Sequence, residues 1–478
     1  MKVIPKIGRI ASAIVLTLLL VFTNVNPVFA FCGFYVSGAD TKLFNKASQV
    51  ILARDGNNTI LTMANDFQGA VKDFAIVIPV PVPIKREQVK VGKKVIVDKL
   101  DTFTQPRLVE YFDSDPCSPV DESVDRPFPA APSAIAPRRS AAATERDRGV
   151  TIEDSFKVNE YEILILSARE SDGLELWLRE RGYKLPSGAS ELLRPYIRQQ
   201  MKFFVAKVDL KEFENQGFQV LRPLQIAYNS PKFMLPIRLG MANANGEQDL
   251  VIYVLSPQGR VELANYRTVK IPTNANIPSF VKQEFGDFYK AMFQQAYQRE
   301  NRRVGFLEYA WDTSNCDPCS TTPPTAEELR EAGVFWLDGG GSSSTFPGNS
   351  RNLQSSILPP RRPFPPRFNS NVFVTRLHVR YNRSNFPEDL VFQQTSNREN
   401  FQGRYIMQQP FSGSTNCSAG VQYRRGLRDR FEREIATTAN LTGWNPADIR
   451  RKMNFSLTNT PAATPDEPFW RRIWRGNP

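Results

Sequence analysis

The chain has 478 residues, 41% of them hydrophobic and 23% charged, which supplies enough apolar surface for a large buried core. Its 36 prolines argue against bundles of long uninterrupted helix. One histidine, His378, serves the whole protein, so multi-histidine metal sites are excluded and any His-dependent triad would have to use this residue.

Residues 1–30 read as a secretory signal peptide. Lys2, Lys6 and Arg9 form a basic start, Ile10 to Phe22 an apolar run too short to span a membrane comfortably, and Val28-Phe29-Ala30 a cleavage site. Cleavage would leave Phe31-Cys32 at the start of the mature chain, and no later stretch is apolar enough to span a membrane. Export puts Cys32, Cys117, Cys316, Cys319 and Cys417 where thiols oxidise, so all five are disulfide candidates; the odd number leaves at least one free or paired between chains.

A main domain is expected over 31–338. Residues 47–64 read as a hairpin turning at Asp55-Gly56-Asn57-Asn58. In the run Asp73 to Ile84, Pro79, Pro81 and Pro83 alternate with apolar residues, which predicts an edge strand or a polyproline stretch. A helix or helix-strand follows over Lys93 to Phe112. Residues 113–150, rich in Pro, Ala and Arg, read as a disordered insertion or long surface loop. Strands are expected at 161–167 and 202–209, with short helices over 172–179 and 187–200 between them. Residues 219–266 are strand-rich, with hairpin signals at Ala244-Asn245-Gly246 and Pro257-Gln258-Gly259. Val281, Phe285, Phe288, Met292 and Ala296 recur at helical spacing, which makes 278–298 a long packing helix. A Gly/Ser/Pro linker occupies 339–371, and strands at 372–410 complete the main module. A basic helical region and tail follow over 411–478. There Tyr423, Leu427, Phe431 and Ile435 line one side of a helix, and Arg424, Arg425, Arg428 and Arg433 form a basic surface on or near the other.

Charge is uneven. Residues 31–338 carry 38 basic and 40 acidic side chains; residues 339–478 carry 20 and 9. Outside the cytoplasm such an arginine-rich third would meet an anionic envelope surface or an acidic protein partner rather than nucleic acid.

Few residues point to chemistry. Cys316-Asp317-Pro318-Cys319 has the spacing of a thiol-disulfide oxidoreductase, but Pro323-Pro324 follow closely. The next helix starts only after Thr325, with Glu328 completing a capping box, so no helix dipole lowers a thiol pKa. Asp-Pro-Cys-Ser occurs at 115–118 and again at 317–320, which suggests two similar loops, cross-linked to each other or to Cys32. His378 shares a strand face with Arg376 and Arg380, whose charge would keep it neutral. Asp113, Asp115, Asp121, Glu122 and Asp125 form an acidic cluster without the ligand spacing of a calcium loop. No Walker loop, GxSxG elbow or HExxH helix occurs, so no metal or cofactor is expected.

Phe31-Cys-Gly-Phe-Tyr-Val36, the 47–64 hairpin, the run Phe74 to Pro83, Cys316 to Cys319 followed by Gly333-Val-Phe-Trp336, and Thr375 to Tyr381 continuing to Asn400-Phe-Gln-Gly-Arg-Tyr405 form a set. As a set they resemble an uncharacterised exported bacterial family, the domain of unknown function 2330. The resemblance implies bacterial export and one module spanning 31–338 and 372–405; it carries no activity. The expected fold is α+β, a mostly antiparallel strand-rich body with a long packing helix and disordered insertions. The expected function is non-catalytic: an exported envelope protein that binds or builds, rather than a thiol oxidoreductase or an unrecognised hydrolase.

Overall fold

A computed structural model describes residues 34–37, 44–68, 74–118, 150–181, 183, 185, 188–209, 221–243, 246–315, 317, 320–337 and 371–456. The signal segment, Cys32, Cys316, Cys319, most of the 113–150 insertion, nearly all of the 339–371 linker and the final tail lie outside the described residues.

The chain opens with β1 (Phe34–Ser37), β2 (Phe44–Asp55), β3 (Asn58–Gln68), β4 (Phe74–Val80) and β5 (Val89–Val91). Helix α1 (Lys94–Thr104) leads to β6 (Arg107–Phe112), β7 (Val150–Val158) and β8 (Tyr161–Ala168). Two short helices, α2 (Ser171–Glu180) and α3 (Ala189–Arg198), precede β9 (Lys202–Val208), β10 (Leu224–Asn229), β11 (Met234–Leu235), β12 (Gln248–Ser256), β13 (Val261–Leu263), β14 (Arg267–Lys270) and β15 (Ala275–Asn276). Then come α4 (Phe285–Arg299), β16 (Val304–Asp312), α5 (Ala326–Glu331), β17 (Phe373–Tyr381), β18 (Leu390–Gln394), β19 (Phe401–Gln402) and β20 (Arg404–Gln409). Helices α6 (Ser418–Thr442) and α7 (Pro446–Ser456) close the described chain.

Nine strands form the main sheet, in the order β14-β16-β17-β12-β2-β3-β10-β5 with β19 added beside β16. Five form a second sheet, β1-β4-β9-β8-β7, and two three-stranded sheets, β11-β18-β13 and β15-β20-β6, flank them. Pairing is mostly antiparallel; the parallel ladders are β2 with β12, β14 with β16, and β20 with both β15 and β6. The architecture is the α+β class the sequence predicts.

Strand alternation sorts the side chains into layers. Val50, Leu52, Ile226, Leu250, Ile252 and Val254 of the main sheet share a core with Ile76, Ile78, Ile163, Ile165, Phe204 and Ala206 of the five-stranded sheet. The opposite main-sheet face, with Ile51, Ala53, Val251, Tyr253 and Leu255, is covered by Ile96, Val97, Leu100 and Phe103 of α1 and by Leu329 of α5. Likewise, Val77, Leu166, Phe203 and Val205 on the outer face of the smaller sheet are covered by Leu174, Leu178, Leu193 and Tyr196 of α2 and α3. Each fully buried Val, Leu, Ile or Phe contributes about 1.5–3 kcal/mol, so these three cores supply the driving force for the layering.

Several local expectations hold. β2 and β3 pair in register down to Asp55 and Asn58, leaving Gly56-Asn57 as a two-residue turn with Gly56 at φ +54°. The Arg54 guanidinium locks that turn by donating to the Asn57 carbonyl, Thr59 Oγ1 and the Ser230 carbonyl. Val281, Phe285, Phe288, Met292 and Ala296 are all buried, although 279–282 forms a 3-10 turn and the α-helix starts at Phe285. Thr325 Oγ1 accepts from the Glu328 amide and Glu328 Oε2 from the Thr325 amide, completing the capping box of α5. Thr325→Ala should therefore lower stability by about 1 kcal/mol in chemical unfolding, and no change would deny the cap a role.

Others are corrected. β4 is not an edge strand: β1 pairs with 74–77 and β9 with 75–80. Among the described residues the β1 pairing reaches only Val77, two residues short of Pro79, so no described neighbour on that side asks a ladder bond of its missing N–H. Neither turn in 244–259 joins paired neighbours. β12 lies between β2 and β17, and β13 pairs with β18. Residues 257–259 bend the chain as expected, 244 and 245 lie outside the described residues, and β12, buried on both faces, sits in the interior of the main sheet.

Candidate functional sites: a buried charge network and a stapled arginine helix

Alternation along β17 puts Arg376, His378 and Arg380 on one face. Antiparallel β12 brings Tyr253 opposite Arg376 and Asp249 opposite Arg380. On the other side, the register of β16 slips between Leu307 and Tyr309, making Glu308 the additional residue of a β-bulge. A bulge re-aims a side chain, and here it turns a carboxylate into the sheet face.

The result is a continuous chain of charges. Arg376 donates from Nη1 to Asp101 Oδ1 of α1 at 2.7 Å and from Nε to Glu308 Oε2. His378 Nδ1 meets Glu308 Oε1 at 2.8 Å and His378 Nε2 meets Asp249 Oδ1 at 3.0 Å. Arg380 then grips Asp249 with two parallel bonds, 2.9 Å and 3.0 Å. Tyr253 donates to Asp101 at 2.7 Å, Gln49 donates to Tyr253, and Tyr289 of α4 donates to Glu308. Phe293 of α4 stacks on the His378 ring with centroids 4.1 Å apart. The network thus fills the seam between α1 and α4, and Asp101, Asp249, Glu308, Arg376 and His378 are all buried.

With both ring nitrogens facing carboxylates, His378 satisfies both only as an imidazolium. Three cations, Arg376, His378 and Arg380, then balance three anions, Asp101, Asp249 and Glu308. Burial opposes the charge on His378, but the Glu308 carboxylate and the bonds to Asp249 and Glu308 outweigh it, and its pKa lies above the usual 6.5. Burial likewise opposes ionisation of Glu308, but Arg376 and His378 bring its pKa down to about 2; Asp249 is lowered by Arg380 and His378 against the same penalty. The expectation of a neutral His378 is therefore reversed. It weighed the like charges along β17, whereas the deciding carboxylates come from β12 and β16. Both His378 nitrogens are held by carboxylates, Glu308 of β16 and Asp249 of β12, which ties β17 to both of its neighbours.

The second site is the C-terminal helix. Cys117 and Cys417 form a disulfide across 300 residues, with Cα atoms 5.8 Å apart. This corrects the expectation that Cys117 would pair with the second Asp-Pro-Cys-Ser loop or with Cys32. Cys417 is also the N-cap of α6, its Sγ accepting from the Gly420 amide at 3.1 Å. Asp113 adds a second anchor: its carboxylate accepts from Gln408 Nε2 at 2.6 Å, Arg430 Nη1 at 2.7 Å and the Tyr423 hydroxyl. Asp115 takes the Cys117 amide and the Ser118 hydroxyl. Both carboxylates are spent on the loop and the helix, and among the described residues no group of three or more His, Cys, Asp or Glu could hold a metal ion. On α6, Phe431, Ile435 and Ala439 pack on the core, while Arg424, Arg425, Arg428 and Arg433 are exposed. The Asp113 clamp left no local signal in the sequence.

Asp317, between Cys316 and Cys319, is described. Its carboxylate accepts from Tyr309 at 3.1 Å and Gln402 at 2.9 Å, tying this loop to β16 and β19. Among the described residues no helix is long and apolar enough to cross a membrane.

The fold and its two polar sites define a layered α+β protein with a stapled C-terminal helix. The chain belongs to DUF2330, a family of uncharacterized proteins conserved in bacteria, whose model matches residues 26–393. No curated protein and no solved structure matches it. Since α6 and α7 follow the matched span, the Cys117–Cys417 bridge ties the family portion to the chain beyond it.

Proposed function

We propose that the protein is exported, acts outside the cytoplasm without catalysis, and presents the exposed arginines of α6 to an anionic lipid surface of the cell envelope. The carrying observation is that Arg424, Arg425, Arg428 and Arg433 stand exposed on a helix held by a disulfide at its N-cap. A disulfide persists in an oxidising compartment, in keeping with the leader expected at 1–30. Guanidinium groups suit phosphate bidentately, and each basic residue near an anionic leaflet contributes about 1 kcal/mol.

The test is sedimentation of the mature chain with phosphatidylglycerol or phosphatidylcholine vesicles. Binding to the first alone is expected, weakened about 100-fold by Arg425→Glu/Arg428→Glu/Arg433→Glu together. Equal binding to both vesicle types, or to neither, would overturn the lipid reading; retention by an acidic protein instead would assign the face to that partner. Catalytic turnover of a disulfide substrate through Cys316 and Cys319 would overturn the non-catalytic reading.

A further inference from the structure

The inner side of α6 holds a charge arrangement that local pairing does not balance. Arg430 is the one guanidinium between two carboxylates, Asp113 at 2.7 Å and Glu434, whose Oε1 lies 3.6 Å from Arg430 Nε. Glu434 and Thr438 are buried, and among the described residues Arg430 Nε and Nη2, Glu434 Oε1 and Thr438 Oγ1 have no hydrogen-bond partner. Other charges near the helix are committed elsewhere. Arg299 of α4 bonds Asn440, and Asp287 pairs with Lys290. Arg450 of α7 pairs with Glu432 and Lys452 with Glu284. Arg433 acts on Glu434 only at longer range.

We propose that α6 is a proton-dependent latch: docking it on the body favours Glu434 as the neutral acid, so the helix is held most firmly in acid and loosens as the pH climbs to neutrality. With Glu434 protonated, Arg430 and Asp113 neutralise each other; with Glu434 ionised, the buried Glu434 and the partly buried Asp113 carboxylates share the Arg430 cation. The energetics agree in sign. Burial raises Glu434, Arg430 draws it down and Asp113 pushes it up, leaving it at about 7. A carboxyl raised on docking favours the docked state fully below its free pKa of 4.5 and loses that contribution as pH climbs to about 7. The docking equilibrium should weaken about tenfold between pH 6 and pH 8.

Hydrogen exchange of 430–442 in the full mature chain, corrected for intrinsic exchange, reads this without any lipid, so its outcome is separate from vesicle binding. Protection should fall about tenfold from pH 6 to pH 8 in the wild type and stay level in Glu434→Gln. Parallel profiles in the two proteins would overturn the latch. If the variant fails to fold, carbon-13 titration of the Glu434 carboxyl in the wild type decides: a midpoint near 7 supports the latch, and one below about 5 overturns it.

Discussion

Glu308→Ala should lower unfolding free energy by about 3–5 kcal/mol, the loss expected when one partner of a buried ion set is removed. The substitution strips Arg376 of its Nε acceptor and His378 of its Nδ1 partner, and it leaves Tyr289 without its acceptor. Removing Glu308 and Arg376 together, as Glu308→Leu/Arg376→Met, should cost less than the sum of the single losses, because that pair is removed as a unit and His378 and Arg380 still match Asp101 and Asp249 in number, although Asp101 loses its guanidinium donor. A double-mutant cycle by urea unfolding checks this; additive losses would deny the network. The pH profile supplies a second readout. Glu308 is depressed to about 2, so its contribution is present above pH 4.5 and is lost as pH falls towards 2, on the order of 3 kcal/mol in all. His378 is raised, so its contribution is present below 6.5 and is lost as pH rises through its elevated pKa. Stability owed to the network should therefore form a plateau between these limits. Glu308→Gln should flatten its acid side, and an unchanged acid limb would count against the assignment.

Breaking the Cys117–Cys417 bridge should cost about 2–5 kcal/mol, at the upper end if loop entropy dominates, since the bridge closes a very long loop. The loss should not be uniform. The first turns of α6 are mostly exposed and owe their position to the bridge and to the Asp113 clamp, whereas the second half packs Ile435, Ala439 and Leu441 against the main core. Cys117→Ser/Cys417→Ser should therefore raise hydrogen exchange over 418–429 before it affects β12 or β17. Asp113→Asn added to this variant should release the segment further. Peptide mapping without reductant should recover 117 and 417 in one cross-linked fragment. Two free thiols in protein taken from the cell, with a melting temperature indifferent to reductant, would remove both the staple and its support for export.

Legibility followed distance along the chain. The 47–64 hairpin was readable because Gly56-Asn57 encodes its turn locally, and α4 because five apolar residues repeat at helical period. The Thr325 capping box is complete within four residues. Pro79 misled because proline excludes a ladder bond on one side at one position, not a whole strand from a sheet interior. At His378 the error had the same origin. Arg376 and Arg380 are visible two residues away, while Glu308 and Asp249 arrive from 70 and 129 positions off.

By itself the sequence determined the α+β class, the principal helices and strands, the family, and the concentration of arginine in the C-terminal third. These depend on periodicity, turn chemistry and composition, which act over a few residues. Only the tertiary structure decided that β17 runs between β12 and β16, that Cys117 meets Cys417, and that Asp113 clamps α6. The physical reason is that a buried charge or thiol is governed by what surrounds it in space, and long-range strand pairing chooses those neighbours from distant parts of the chain.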